Sequence, residues 1–531
     1  MSGQEQEKYI LAIDHGSTGL KTSLFSTSGK SIDFDFEPTP ITILPEGGAE
    51  QDPEEWWQAT IKTCQRLVKK KSVPVEDIVA IGVSSTFSST VAVDKNGEPL
   101  MKALTWADTR GAPYVKKVVG GAIELEGYSL SSLLRWIPRT GGIPALSGKD
   151  DIAHVLFVKY AHPEIYKETY MFLGSKDYLN LKLSGEFASS PDSMMLFWVI
   201  NTKDINHLDY DKELIQKVGI DRDKLPPLKK AIDILGNIRP EVADAIGISR
   251  DVKVVVGSPD LQSAGVGAGT VEDYQSHIYI GTGSWIQCVV PYKKADVFHQ
   301  IASFPHAVPG KYYTANCQDI AGGNLAFLKS NLIYYQNELN IQRPADYPDN
   351  IYETFNKIVA RVEPGSGKLI YTPWLHVERT PVDDNTLRGG FHNMSISTNM
   401  DHMIRAVYEG VAYNTRWMLY YVEKFIKRKM ESLLLVGGGG NSDVWCQIFA
   451  DVLDREIRQI EDPIQCNGRG AAFLASIALG YQTVADLPGL VKCTHTYRPN
   501  PGNRKLYDEL YDAFLTIYKN NKKLYKRLNR Q

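Results

Sequence analysis

The sequence predicts an α/β protein of two large domains built on a shared hairpin-plus-helices plan, and three observations carry that expectation. At 531 residues the chain is longer than one hydrophobic core supports. Strand-like and helix-like stretches alternate along it. Two glycine turns, Asp14-His15-Gly16-Ser17-Thr18-Gly19 and Gly281-Thr282-Gly283-Ser284, each lie between two short apolar runs instead of opening a helix. The flanking runs, residues 9–13 with 22–25 and 277–280 with 285–290, read as strand, turn, strand. Each turn is then a hairpin tip whose backbone N–H groups and hydroxyls face outward.

In the first half, residues 53–70 form a helix with Trp56, Trp57, Ile61 and Leu67 available for one face, and 78–84 (IVAIGVS) form a strand suited to burial on both sides. A looser helical and loop region follows Trp106 and reaches beyond Asp192. Pro226-Pro227 marks a break, and 252–256 is a short apolar strand with Asp260 close behind it. The small-residue run AGVGAG after Asp260 allows a helix or turn to pack tightly on that strand. In the second half, residues 400–429 read as an amphipathic helix through Met403, Val407, Val411, Met418 and Tyr421. Residues 433–436 form a buried strand running into Gly437–Gly440 and a helix over 442–453. A glycine-rich helix, 468–479, precedes a basic tail that reads as a solvated helix.

Composition narrows the class. Hydrophobic residues at 43% and charged residues at 23% fit an ordinary globular protein. A net charge of -3 argues against a general nucleic-acid binder. Six scattered cysteines form no CxxC pair or zinc-type spacing, so reduced buried thiols are expected. The opening MSGQEQEKYILAID lacks the pattern of a secretory leader, and no apolar run approaches the ~18 residues of a membrane span. The expectation is a cytoplasmic protein with no membrane and no nucleic-acid partner.

Two hairpin tips facing each other across a cleft could hold a polyphosphate, which points to ATP-driven chemistry. They do not match a P-loop, whose glycines run into a helix and end in Gly-Lys-Ser/Thr. Asp14 is placed to hold magnesium near the β- and γ-phosphates, Gly16 and Gly19 leave room for close approach, and Ser17, Thr18 and Lys21 can donate. Gly281, Thr282 and Gly283 repeat that logic for the γ-phosphate. Gly439 and Gly440, with Ser442 at the start of a helix, offer N–H groups and a flat surface for an adenine ring. Asp260, at a strand's carboxyl end, is the candidate base for a sugar hydroxyl, and capping of the following helix is its alternative role. A dinucleotide fold competes for the glycine run, but Gly-x-Gly-x-x-Gly is not completed at Ser442.

In this order the segments resemble the FGGY family of carbohydrate kinases over roughly residues 8–485. They are YILAIDHGSTGLKTSLF, GVSSTFSSTVAVDKNGEPLMKALTWADTR, GSPDLQSAGVGAG, IYIGTGSWI, RTPVDDNTLRGGF, RAVYEGVAYNTRWML and LLVGGGGNSDVWCQIFADVL. The resemblance implies two actin-like, ribonuclease-H-like ATPase domains flanking a deep cleft, residues 1–261 and 262–531. It implies ATP and Mg2+ as cofactors, Asp260 as general base, and Asp14 with Asp260 at the metal. Thr282 would contact the γ-phosphate, and Gly439, Gly440 and Ser442 the adenosine. Phe87, Ser88, Trp106, Asp108, Arg110 and Asp260 would line the sugar. The chain departs from the pattern at three points. Thr86-Phe87-Ser88-Ser89 stands where xylulose kinases show Gln-Met-His-Gly, Leu261 follows the base where an amide is usual, and His154 replaces a common lysine.

The resulting expectation is a kinase transferring the γ-phosphate of ATP to a hydroxyl of a small sugar, with a ketopentose such as D-xylulose leading. Gluconate, ribulose and glycerol are alternative acceptors, and the sequence leaves the oligomeric state open, with a homodimer among the assemblies it allows. The rivals are an actin-like or heat-shock-type ATPase, a sugar-binding protein with weak catalysis, and a dinucleotide-dependent oxidoreductase.

Overall fold

The structure, a computed structural model, describes residues 7–337 and 347–529. A six-stranded sheet organises the first half, from β1 (Tyr9–His15), β2 (Gly19–Ser26), β3 (Ser31–Pro38), β4 (Ile78–Ser85), β5 (Ile234–Asn237) and β6 (Lys253–Val255), in the order β5-β6-β4-β1-β2-β3. The hairpin β1/β2 is antiparallel, whereas β4 joins β1, and β6 joins β4, in parallel. An eight-stranded sheet organises the second half. Its strands are β7 (Ser276–Ile280), β8 (Ser284–Val290), β9 (Ala295–Asp296), β10 (Ile301–Pro305), β11 (Tyr312–Ala315), β12 (Ser432–Val436), β13 (Glu456–Ile460) and β14 (Cys493–Tyr497), in the order β9-β10-β11-β8-β7-β12-β13-β14. Here too an antiparallel hairpin, β7/β8, is extended by two parallel strands. The duplicated α/β plan is therefore visible strand by strand.

Helix α1 (Pro53–Lys70) covers one face of the first sheet. Asp52 caps it by accepting from Glu54 N at 2.9 Å, Pro53 fits its first turn, and Lys71 ends it in the left-handed region at φ 53°. Trp56, Cys64 and Leu67 face inward, while Trp57 and Ile61 lie half-buried at the margin. The opposite face is covered from far along the chain, by α5 (Cys466–Ala478), whose Ala471, Ala472 and Ala475 pack on Ile10, Ala12, Ala80 and Val255. Helix α2 (Asp260–Gly267) lies against α5 and runs across residues 261/262, where the sequence placed the domain boundary. The AGVGAG run does permit close packing, but on α5 instead of on the strand before it. A Cβ at Gly267 would lie 1.9 Å from Cys466 O, and one at Gly470 would lie 1.9 Å from Ser263 O.

The second core centres on α3 (Met400–Ile426), α4 (Asp443–Leu453) and the second sheet. Val407, Val411 and Met418 are buried as the periodicity indicated. The helix is also buried on its polar side, where Arg405 pairs with Glu409 at 2.8 Å. The tail forms α6 (Arg504–Asn529), which drives Tyr507, Leu510 and Phe514 into this core and leaves most of residues 519–529 exposed. A third, antiparallel sheet of five short strands (Met171–Gly174, Thr90–Val93, Ala103–Leu104, Ala49–Gln51, Thr42–Ile43) sets the loops holding Phe87, Ser88 and Trp106 beside the first hairpin. Among the described residues no helix is long and apolar enough to cross a membrane.

Candidate active site

The first hairpin pairs Asp14 with Lys21 across β1 and β2, and Gly16 N donates to Gly19 O at 2.9 Å to close the turn. The two glycines serve different ends. A Cβ at Gly19 would strike the Phe36 ring at 2.3 Å, so this glycine admits β3, whereas Gly16 faces open space apart from Gly19 O. Ser17 Oγ accepts from Trp106 Nε1 at 2.9 Å. Thr18 is exposed at the tip. Lys21 Nζ donates to Ile464 O of the second half at 2.9 Å and stands 3.7 Å from Asp14 Oδ2.

The second hairpin is tighter. The Tyr279 and Trp285 rings stack with centroids 3.8 Å apart, and a Cβ at Gly281 would meet the Tyr279 ring at 2.5 Å. Gly283 passes within contact of Gln318 O and Asp319 O. Thr282 O accepts from Ala321 N at 2.6 Å and Gly323 N at 3.1 Å, so residues 318–323 brace the loop from behind. Sequence reasoning missed that brace, because a Gly-Gly pair between elements carries no signal of its own. The Thr282 side chain remains exposed.

Asp260 begins α2 without capping it. The cap position is Pro259, which makes no side-chain cap bond, and Asp260 Oδ1 accepts from Leu261 N at 2.7 Å. Burial, reinforced by the nearby Asp14 charge, pushes the Asp260 carboxyl up to about 7, against N–H donation that includes Phe87 N. Asp14 is raised by burial as well, with Lys21 and Asn467 opposing. Tyr279 is raised by burial and then by both carboxylates, and Asn467 hydrogen-bonds it. Asp14, Asp260 and the base of the Gly281 hairpin are thus brought together, joined by Tyr279 and Asn467. Neither of these two residues stood out in the sequence, since each acquires meaning only through contacts between distant segments.

Leu261 is half-buried against a cluster that includes Phe87. Gln262, the next amide, is fully buried and turns to Asp192 O at 3.4 Å. Around the expected sugar site, Phe87 and Ser88 form a strained turn with Ser88 at φ 57°. Asp108 is placed differently from the expectation. It is fully buried and spends its carboxylate on Ala49 N at 2.9 Å and on Arg110 at 2.6 and 3.0 Å. Arg110 also reaches Glu50 at 2.7 Å and lies over Phe157. The pair therefore shapes the Trp106 loop and offers no free carboxylate. His154 is buried, bonded to Thr90 through Nδ1 at 2.9 Å, and lowered to about 4 by burial.

The glycine run departs from expectation in the same way. Gly439 and Gly440 are buried, and Cβ atoms there would meet Ile280 and Leu435 O or Pro463. Gly438 is the exposed member, with open space for 4 Å around the point a Cβ would occupy, and so provides the flat surface. Ser442 caps α4, accepting from Trp445 N at 3.2 Å, and donates to Asn356 Oδ1 at 2.7 Å.

This set fits a triphosphate and a divalent cation. Two neighbouring carboxyls, both pushed up first by burial, with the Asp14 charge adding to the Asp260 shift, would be held ionised by a bound cation. Among the described residues no group of three or more His, Cys, Asp or Glu is arranged to hold a metal ion, so phosphate oxygens would have to complete the shell of Mg2+.

Residues 9–267 match the family model for the N-terminal domain of the FGGY family of carbohydrate kinases, and residues 278–479 match its C-terminal domain. A xylulose kinase of Bacillus subtilis is 27% identical over 528 residues, covering 97% of this chain and 98% of the relative. A gluconokinase of the same organism is 27% identical over 514 residues, covering 96% and 95%. Among solved structures, a gluconate kinase from Lactobacillus acidophilus superposes with a TM-score of 0.82 at 23% identity, covering 99% of this chain and all of that one. A ligand-bound xylulose kinase from the same organism gives 0.82 at 23% identity, covering 98% and 100%. With both domain models matched in order and the duplicated sheets in place, the chain belongs to the FGGY family of carbohydrate kinases, sugar phosphotransferases that use ATP.

Proposed function

We propose that the chain moves the γ-phosphate of ATP to a hydroxyl of a small polyhydroxylated acceptor, with Asp260 as general base and the lobes meeting just after α2. The observation that carries this reading is the Asp260 carboxyl, raised to about 7 beside Asp14 at the foot of both hairpins. A base poised near neutrality can take the acceptor's proton as its oxygen attacks the γ-phosphorus, while the bond to the bridging oxygen breaks and ADP leaves. Thr18 and Thr282, exposed at the two tips, are suited to donate to phosphate oxygens, and Gly438 to lie against the adenosine. Mg2+, held through Asp14 with support from Asp260, would neutralise phosphate charge. Phe87, Ser88 and Trp106 would contact the acceptor, with Asp108 and Arg110 positioning the Trp106 loop.

Relatives named xylulose kinase support a ketopentose such as D-xylulose, and relatives named gluconokinase support an aldonate such as gluconate. The test is ADP release in a coupled assay against pentuloses, hexuloses, polyols and aldonic acids. Acceptor-dependent ADP with at least one of them is expected. None with any would leave a sugar-binding protein without turnover.

A further inference from the structure

A second charged cluster lies near Asp260, since both act on Cys317, and takes no part in the proton transfer proposed above. Lys149 Nζ, from the first lobe, lies 3.3 Å from Asp319 Oδ2 of the second. His376 Nδ1 approaches the same oxygen at 3.3 Å, and Arg379 Nε approaches Asp319 Oδ1 at 2.7 Å. Cys317 ties this cluster to the base. Burial pushes its thiol up to about 12, and Arg379, Asp319, Glu378 and Asp260 all act on it. On the acceptor side, Ser88 Oγ donates to Lys149 O at 2.6 Å, and the Lys149 ammonium lies 5.9 Å from the centre of the Trp106 ring. The adjacent Phe87 N–H serves Asp260. Neighbouring residues of one strained turn thus hold the base and the lysine.

This is not a self-contained ion pair. The Arg379–Asp319 approach is close but poorly aligned: among the described residues Asp319 Oδ1 makes no hydrogen bond, and the Arg379 guanidinium, 33% exposed, donates none. Among the described residues Lys149 has a single acceptor for its three N–H groups, although only 6% exposed. A buried ammonium with donors left open in this way is costly unless a ligand fills them. Burial works against the Asp319 charge, but Arg379, His376 and Lys149 hold that carboxyl well below the usual range. Burial raises its neighbours instead: Asp150, committed to Trp198 Nε1 and Ala145 N, then Asp383, and Glu378, which reaches about 8. Lys149 and Arg379 are the two cations set directly on Asp319, and burial, then Arg379, lowers the Lys149 ammonium.

We propose that Lys149 and Arg379 are specificity-determining residues that bind the acid end of an anionic acceptor, a polyhydroxylated carboxylate of the aldonate class, whose reacting hydroxyl lies at Asp260. The proposal rests on the kinase reading of the Asp260 site. It is tested on the full chain by measuring kcat/KM at saturating MgATP for D-gluconate, for its neutral six-carbon counterpart sorbitol, and for D-xylulose. Gluconate should exceed sorbitol by at least about tenfold. That ratio should fall roughly tenfold or more in Lys149→Met and in Arg379→Gln, and Lys149→Arg, which keeps the charge, should restore most of it. Equal use of neutral and acidic acceptors, or variants that lower both alike, would overturn the assignment and leave the kinase reading standing. No acceptor-dependent ADP with any compound would overturn the kinase reading itself. Calorimetric binding of gluconate and sorbitol to the unaltered protein decides the assignment where a variant fails to fold, equal affinities counting against it.

Discussion

Asp260 sits at the first position of a helix whose cap residue, Pro259, makes no side-chain cap bond, and its Oδ1 accepts from Leu261 N at 2.7 Å. Replacing it with Asn keeps its size and removes its basicity. The expected result is a fall in kcat of about 10²-fold or more with nucleotide affinity nearly intact, read by steady-state kinetics alongside ADP titration. An unchanged kcat would remove Asp260 from its role. The raised carboxyl also sets a pH profile. Because the base must be ionised, kcat/KM for the acceptor should be level above about pH 7 and fall about tenfold per unit below it. The linkage has the opposite sense. The folded chain holds this proton between the ordinary carboxylate pKa of 3.8 and about 7, where the unfolded chain has lost it, so this group's contribution to stability declines as pH rises through that window. The turns and strand end that carry Asp14, Asp260, Thr18 and Thr282 were legible in the sequence because such features announce themselves locally. Asp108 was misplaced because Trp-x-Asp-x-Arg does not reveal that the arginine folds back on the aspartate. Lys149, Tyr279 and Asn467 stayed hidden because their partners lie in other segments.

At the level of elements, helix α2 owes its position to two glycines. With Cβ atoms at 267 or 470 falling 1.9 Å from backbone oxygens of the facing helix, neither position tolerates a methyl group without separating α2 from α5. Gly470→Ala should destabilise the fold by ~1–3 kcal/mol or more, visible as a lower thermal midpoint, and should lower kcat by displacing Asp260. Wild-type stability and activity in this variant would show that the contact relaxes freely. The hairpins, α1 and the buried strands were readable from periodicity and turn chemistry, and α1 agrees to the residue. The partner of the AGVGAG run was not readable. Small residues advertise a close approach without saying which backbone makes it, and α5 arrives from some two hundred positions downstream. The basic tail illustrates the same limit, because only its final residues are solvated while its first turns close the second core.

On the scale of the whole molecule, two sheets with matching topology carry one glycine hairpin each, and the proposed acceptor site lies beside the first of them, where Trp106 meets Ser17. Lys21 reaching Ile464 O and Lys149 reaching Asp319 are contacts between lobes that opening would break. Acceptor binding should therefore help draw the lobes together and exclude water from the γ-phosphate. ATP hydrolysis measured with no acceptor should be far slower than acceptor phosphorylation at saturation, and equal rates would count against that coupling. The doubled plan was legible from the paired turns. The helix that locks the halves together was not, because it belongs by sequence to one half and by packing to the other. That crossing has a consequence for biosynthesis. The first sheet stays bare over Ile10, Ala12, Ala80 and Val255 until residues beyond 466 have left the ribosome, so the first half can complete its packing only when translation is nearly finished.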